Sequence, residues 1–333
     1  MLPRASVRPI FRRAGVVAAS LAVAFNALAF RHAWSFTHLR PGNVARLDPH
    51  RLSTSDRMRI AFTGIPLARP RNERNPLDVG LSFQTHIVPG EGSRPPLEAW
   101  FIPGADETTV ALLFHGHGGS KSELLRHARR LHGMGPAVML VDFAGSGGSG
   151  DAAFTVGARE AEDVTATTAY TRKLTGARRV YLYGLSMGAV AILKSVTDGN
   201  TADGVILECP FDSLLTTLRH RFETVGLPAF PAAHALLFWG GVQLGFNPFR
   251  HGALVYAPSV RTPALLMAGD RDPWVTPDET RHIFDALGGP KRLYMCTGVG
   301  HASCLSRDWS GWTAAVSAFL ANPGEAGAAS STQ

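Results

Sequence analysis

The stretch Arg179-Val180-Tyr181-Leu182-Tyr183-Gly184-Leu185-Ser186-Met187-Gly188-Ala189-Val190-Ala191-Ile192-Leu193-Lys194 decides the fold. Its first five residues are a β-branched and aromatic run that reads as a buried strand, and its last six read as a helix. Between them stands Gly-x-Ser-x-Gly. A strand that turns this sharply into a helix leaves no room for side chains two residues either side of the serine. Ser186 is then held at the tip of a strained turn, at a helix N-terminus whose amides favour negative charge. In a chain with 35 Gly the pentapeptide alone is a weak signal, so its surroundings must carry the argument.

Upstream, Thr109-Val110-Ala111-Leu112-Leu113-Phe114 reads as another buried strand, ending in His115-Gly116-His117-Gly118-Gly119. A glycine-rich turn at that place lets backbone amides point at a developing oxyanion. Downstream, Pro263-Ala264-Leu265-Leu266-Met267-Ala268 opens into Gly269-Asp270-Arg271-Asp272-Pro273-Trp274-Val275. Arg292-Leu293-Tyr294-Met295-Cys296 then leads into Gly298-Val299-Gly300-His301. Serine, acid and histidine thus follow three predicted strands in that chain order.

On these residues the sequence resembles the serine hydrolases of the α/β-hydrolase superfamily, of the serine aminopeptidase-like kind, from about Leu81 to Leu320. Val141-Asp142-Phe143-Ala144-Gly145-Ser146-Gly147-Gly148-Ser149 is similar to the family's D-x-R-G-x-G-x-S segment after strand four, with Ala144 in place of the usual Arg. The resemblance implies an α/β fold with a mostly parallel central sheet flanked by helices and a helical cap inserted after strand six. It implies Ser186 as nucleophile, Asp272 as acid and His301 as base, with the amides of His117 and Met187 as the oxyanion hole. The family's G-x-x-D pattern begins at Gly269 and so selects Asp272 over Asp270. Asp212, after the sixth strand, is a third candidate.

The 333 residues, 45% hydrophobic, suffice for one large core with appendages. The expected organisation is an N-terminal signal or anchor over 1–35, a juxtamembrane connector over 36–80, a catalytic domain over 81–321 and a disordered tail over 322–333. Ser120-Lys121-Ser122-Glu123 has the pattern of a capping box opening a helix through Arg130, and Ala158–Lys173 reads as the next helix. The cap, about 211–257, is too long for a simple loop and rich in Phe, Leu and Trp. A greasy cap points to an apolar acyl or alkyl group in the substrate, although each of those aromatics would serve equally as cap core.

The net charge of +7 invites a nucleic-acid reading, and its distribution argues against one. Residues 1–80 hold 13 Arg and 4 acidic residues, a balance of +9, so the remaining chain carries −2. The basicity is N-terminal: Arg4, Arg8, Arg12 and Arg13 precede the apolar run Gly15–Phe30, near the lower limit for a bilayer span. Two readings stay open, an uncleaved membrane anchor with the catalytic domain outside the cytoplasm, and a signal peptide cleaved at Ala27-Leu28-Ala29 to release a secreted protein.

Cys296 and Cys304 flank His301 and could bridge in an exported domain, whereas Cys209 ends a strand and reads as core. No metal or other cofactor is expected: His115 and His117 lack a third ligand cluster. Gly145–Gly150 fits a dinucleotide-binding pattern, but no helix follows at once, so a Gly/Ser loop at the pocket rim is the better reading. The expected activity is therefore cleavage of a small-molecule ester, thioester or amide with an apolar acyl group. An aminopeptidase-like serine peptidase and a non-catalytic membrane-tethered binding module are the alternatives.

Overall fold

The computed structural model describes residues 8–39, 53–64, 67–224, 226–325 and 327–328. Arg4, the connector stretches 40–52 and 65–66, and tail residues 326 and 329–333 lie outside them. In chain order the elements are α1 (Arg8–Thr37), α2 (Thr54–Thr63), β1 (Gln84–Val88), β2 (Leu97–Ile102), β3 (Asp106–Phe114), α3 (Leu125–His132), β4 (Pro136–Val141) and α4 (Glu160–Thr175). They continue with β5 (Arg179–Leu185), α5 (Met187–Thr197), β6 (Gly204–Glu208), α6 (Leu214–Thr224), α7 (Ala232–Leu244), α8 (Ala253–Tyr256) and β7 (Ala264–Gly269). The last are α9 (Pro277–Ala286), β8 (Lys291–Cys296), α10 (Trp309–Ala321) and the two-residue β9 (Gly327–Ala328).

The strands form one sheet in the order β1-β2-β4-β3-β5-β6-β7-β8-β9. Strands β1, β2 and β4 pair antiparallel in turn, and every other neighbouring pair is parallel. Every residue of β4, β6 and β7 is buried, as a parallel sheet covered on both faces requires. Alternate side chains feed two cores. Leu112, Met139, Leu182, Leu207 and Leu266 meet α4, α5 and α9 on one face. Leu113, Leu140, Tyr183, Ile206 and Met267 meet α3 and α10 on the other, around the fully buried Trp312. The order reverses beside β3, between β4 and β5, and a crevice opens outside the carboxyl ends of the strands at such a reversal.

Two local expectations differ from the structure. Ser120 makes no side-chain cap: its hydroxyl bonds Arg71 O and Ser122 Oγ, and a 3₁₀ turn, Lys121–Leu124, precedes α3. In the tail, Gly327 and Ala328 pair with Arg292 and Leu293 of β8 instead of staying unstructured. The N-terminal helix ends at Thr37, and the stretch read as a connector contains α2 and a 3₁₀ turn, Pro76–Val79, opened by a capping box at Asn75.

Helices α6, α7 and α8 lie between β6 and β7, in the stretch read as a cap. Helix α1 packs along α7. Trp239 Nε1 donates to Asn26 Oδ1 at 3.0 Å, Gln243 Nε2 donates to Phe30 O at 2.7 Å, and the rings of Phe30 and Trp239 meet edge to face.

Candidate active site

The parallel registers align the carboxyl ends of β3, β5, β6, β7 and β8, and each loop that follows contributes a residue to one point. Phe114 pairs with Gly184, Gly184 with Leu207, and Gly269 with Cys296. At the end of β5 the backbone of Ser186 takes φ 52°, a left-handed conformation costly for a side-chain-bearing residue. Two glycines make the turn possible. A Cβ on Gly184 would lie 2.5 Å from Ala189 N, and one on Gly188 would lie 2.5 Å from Phe114 O. The strain is held by Ser186 N donating to Glu208 O at 2.7 Å and by packing of the apolar α5, which is buried from Met187 to Leu193.

Ser186 Oγ lies 3.0 Å from His301 Nε2, and His301 Nδ1 lies 2.7 Å from Asp272 Oδ2. These partners fix the tautomer: Nδ1 carries the proton toward the carboxylate, and Nε2 accepts from the hydroxyl. Asp272, 4% exposed, is itself held because its Oδ1 accepts from Trp274 N and Val275 N at 2.9 and 3.0 Å. Asp270 is exposed and its Oδ1 accepts from Gly298 N, which shapes the loop before the histidine. Asp212 caps its neighbour Ser213 through the backbone. The structure thus brings Ser186, His301 and Asp272 together and leaves Asp270 and Asp212 out of that line.

The amides of Met187, at the N-terminus of α5, and His117, in the turn after β3, make no hydrogen bond to an acceptor among the described residues. His115 is structural: buried, it bonds Gly116 O through Nδ1 and accepts from Phe143 N at Nε2. Burial pushes the His117 imidazole down to about 4, with the Arg221 guanidinium contributing, so the ring is neutral at neutral pH. Phe36, at the end of α1, stacks on it at 4.6 Å. Asp142 of the glycine-rich loop accepts from the Lys121 amide and its buried ammonium, from Asn72 and from Gly148 N, which makes that loop a rigid rim. Where the family has Arg, the backbone of Ala144 donates to Asp163, itself paired with Arg94.

Several site residues carry little signal in the sequence. Trp274 leans on the His301 ring at 5.0 Å, and Arg221 of α6 lies over Trp274 at 4.4 Å. Arg221 has no hydrogen-bond or ion-pair partner among the described residues and feels the charge of Asp272. Beneath the histidine loop is a buried polar knot. Glu208 accepts from Tyr183 Oη, from Ser303 Oγ at 3.2 Å and from Cys304 N at 2.6 Å. Burial raises the Glu208 carboxyl to about 7 and lowers His127 to about 3, so their 3.8 Å approach is not an ion pair at neutral pH. A glutamate closing the otherwise apolar Val205-Ile206-Leu207-Glu208 run is the one visible clue. Cys296 and Cys304 form a disulfide that anchors the same loop, and Cys209 is free and buried.

Cys209, Asp272 and His301 lie within metal-ligating distance of one another. Both imidazole nitrogens are already engaged, however, and burial holds the Cys209 thiol well above its usual range, hence protonated. That donor set fits a proton relay better than a cation site.

Comparison with known proteins agrees with this fold. Residues 105–229 match the family model for serine aminopeptidase, S33. The chain is 23% identical over 232 residues to the uncharacterized Bacillus subtilis protein YqkD, covering 68% of this chain and 75% of that one. It is 25% identical over 211 residues to the uncharacterized Mycobacterium tuberculosis protein Rv2307c, covering 62% and 68%. Among solved structures, the Pyrococcus furiosus esterase Pf2001 superposes with a TM-score of 0.65 at 21% identity, covering 78% of this chain and 98% of the esterase. A membrane phospholipase A described as a bacterial virulence factor gives 0.53 at 21% identity, covering 72% and 86%. The chain thus has the α/β-hydrolase fold, and its residues 105–229 match the serine aminopeptidase family model.

Proposed function

We propose that the protein is a serine hydrolase that cleaves an ester, thioester or amide carrying an apolar acyl group, carboxylic esters foremost. The observation that carries this reading is the continuous line Ser186 Oγ, His301 Nε2, His301 Nδ1, Asp272 Oδ2, with links of 3.0 and 2.7 Å. His301 takes the Ser186 proton as Oγ bonds to the carbonyl carbon. Asp272 stabilises the imidazolium, and the amides of His117 and Met187 receive the oxyanion. His301 returns the proton to the leaving alkoxide, thiolate or amine, leaving an acyl-enzyme. Water, deprotonated by the same imidazole, then releases the acid and regenerates the serine.

One observation favours an ester over an aminopeptidase substrate. The cation beside the triad is Arg221, stacked on Trp274, and it would repel the α-ammonium that an aminopeptidase must hold. Likeness to a protein described as an esterase supports the same choice.

The N-terminal helix is read as an uncleaved anchor, with the catalytic domain outside the cytoplasm. It is the one helix among the described residues long and apolar enough to cross a membrane. Cleavage after Ala29 would remove Asn26 and cut the helix where Ala29, Ala33, Ser35 and Thr37 are buried. The Cys296–Cys304 disulfide supports an oxidising compartment.

The test is hydrolysis of a 4-nitrophenyl ester series from acetate to decanoate by wild type and Ser186→Ala. Turnover by wild type, with loss of nearly all of it in the folded variant, is expected. Variant activity above a tenth of wild type would overturn the assignment.

A further inference from the structure

The apolar surface of this protein is unevenly placed. Of the twenty large apolar side chains exposed on the described residues, seven lie on α1, two on α2 and seven on the cap between Leu227 and Val255. Among the described residues the sheet-and-helix body shows only Leu77, Ile87, Leu174 and Trp309. From Gly226 to Phe249 the sequence contains no Asp, Glu, Lys or Arg. Helix α7 is apolar all round, yet it is not enclosed by protein: one side meets α1 and α6, while Phe238 and Val242, one turn apart, are 52% and 56% exposed. A helix apolar on every side belongs in a core or in lipid. Helix α7 is not in the core.

Its attachment to α1 fixes what the outer medium is. A hydrocarbon core is about 30 Å thick and a helix rises about 1.5 Å per residue, so a span starting at Arg13 reaches the far boundary near Ala33. Asn26, thirteen residues on, is then about 20 Å in, and Trp239 hydrogen-bonds to it. Helix α1 cannot span a bilayer without carrying this part of α7 about 10 Å below the far boundary, the depth at which interfacial helices bury their apolar faces. Ten residues further along α1, Phe36 lies on His117 beside the site, and Thr37 O accepts from Phe154 N at 2.8 Å. The seam between α1 and α7 is an open hollow lined by Ala22, Val23, Asn26, Ala27, Phe30 and Trp239, nearly all apolar.

We propose that the Phe238–Val242 face of the cap is immersed in the leaflet next to the catalytic domain, and that the substrate reaching Ser186 is an ester dissolved in that leaflet. This rests on the hydrolase and anchor readings above. The bilayer supplies the apolar medium that the cap surface lacks in water, and an acyl chain lying along the α1–α7 seam stays in lipid until it is close to His117. Water-soluble esters react too, without the benefit of that path.

The full-length protein in dioleoylphosphatidylcholine vesicles tests both parts. A nitrobenzoxadiazole fluorophore is placed on Val242→Cys, with Val17→Cys of α1 and Leu174→Cys of α4 as references, since Cys209 is buried and the other cysteines are paired. Doxyl-labelled phosphatidylcholine should quench Val242 as it quenches Val17 and leave Leu174 bright. Quenching at Val242 no greater than at Leu174 would overturn immersion. In the second measurement, Phe238→Asp should lower hydrolysis of vesicle-borne 4-methylumbelliferyl oleate at least tenfold and change 4-nitrophenyl butyrate turnover less than twofold. Equal effects on both substrates, or none on either, overturn the leaflet substrate. Failure of wild type to react with a fluorophosphonate would instead sink the hydrolase reading alone, because the quenching result does not depend on catalysis.

Discussion

The sheet edge and the cap above it are built on opposite principles. At the carboxyl edge of the sheet the triad and the backbone that carries it have designated partners. Ser186 N is held by Glu208 O, Asp272 by two backbone amides, and Cys304 N by Glu208. Such a network leaves little freedom and suits a reaction that needs atoms placed to a fraction of an ångström. The cap and α1 are joined mainly by apolar packing and two hydrogen bonds, with large side chains turned outward. On the proposed reading chemistry is specified below and access above, so substitutions in the two regions should fail differently.

The largest effect is expected at the nucleophile, as stated above for Ser186→Ala. Next is the acid. Asp272→Asn should keep the fold and cost roughly 10³–10⁴-fold in kcat, because an amide donating toward Nδ1 selects the wrong tautomer. Asp270→Asn, which loses only an acceptor for Gly298 N, should cost less than tenfold. Steady-state kinetics on one ester decides this, and the reverse order would name Asp270 as the acid.

A cap-side change should alter selectivity more than rate. Phe36→Ala removes a ring stacked on His117, an interaction of about 0.5–1.5 kcal/mol, and opens the space above it. Preferred acyl length should shift on a chain-length series with kcat on the best substrate within about tenfold of wild type. An unchanged preference would separate α1 from the site.

The smallest effect concerns stability. The buried Glu208 carboxyl is raised from 4.5 to about 7, so the folded state binds its proton more tightly than the unfolded one. Its stabilising contribution is complete below pH about 4.5 and is lost as pH rises through about 7. Glu208→Gln, neutral throughout, should therefore gain on wild type between pH 5 and pH 8, by up to about 3 kcal/mol at about 1.4 kcal/mol per unit. Denaturant unfolding at the two pH values measures it. A pH-independent difference would mean that the carboxyl is not held neutral.

The two regions also differed in how legible they were. Strands β3 to β8 could be read because a parallel sheet buried on both faces demands unbroken apolar runs such as Val205-Ile206-Leu207. Strand β1, at the sheet edge with most of its residues exposed, offers no such run. The placement of Ser186 was legible because the turn tolerates only glycine at 184 and 188, which is a steric demand on local sequence. The Glu208 knot was not, since it joins residues from β5, β6, α3 and the histidine loop that meet only once the sheet is assembled. The Ser120 capping box misled because the Ser120 hydroxyl found Arg71 O instead. Nor does the apolar run of α1 say that Asn26 and Phe30 meet the cap, for periodicity gives a face and not its partner.

The most direct test of the central claim is intact-mass spectrometry of the full-length protein after reaction with a fluorophosphonate, followed by peptide mapping. A single phosphonyl adduct on Ser186, absent from Ser186→Ala and strongly reduced in His301→Ala, is the expected result. A folded wild type that takes up no adduct, or takes it up on another residue, would contradict an activated serine at the end of β5.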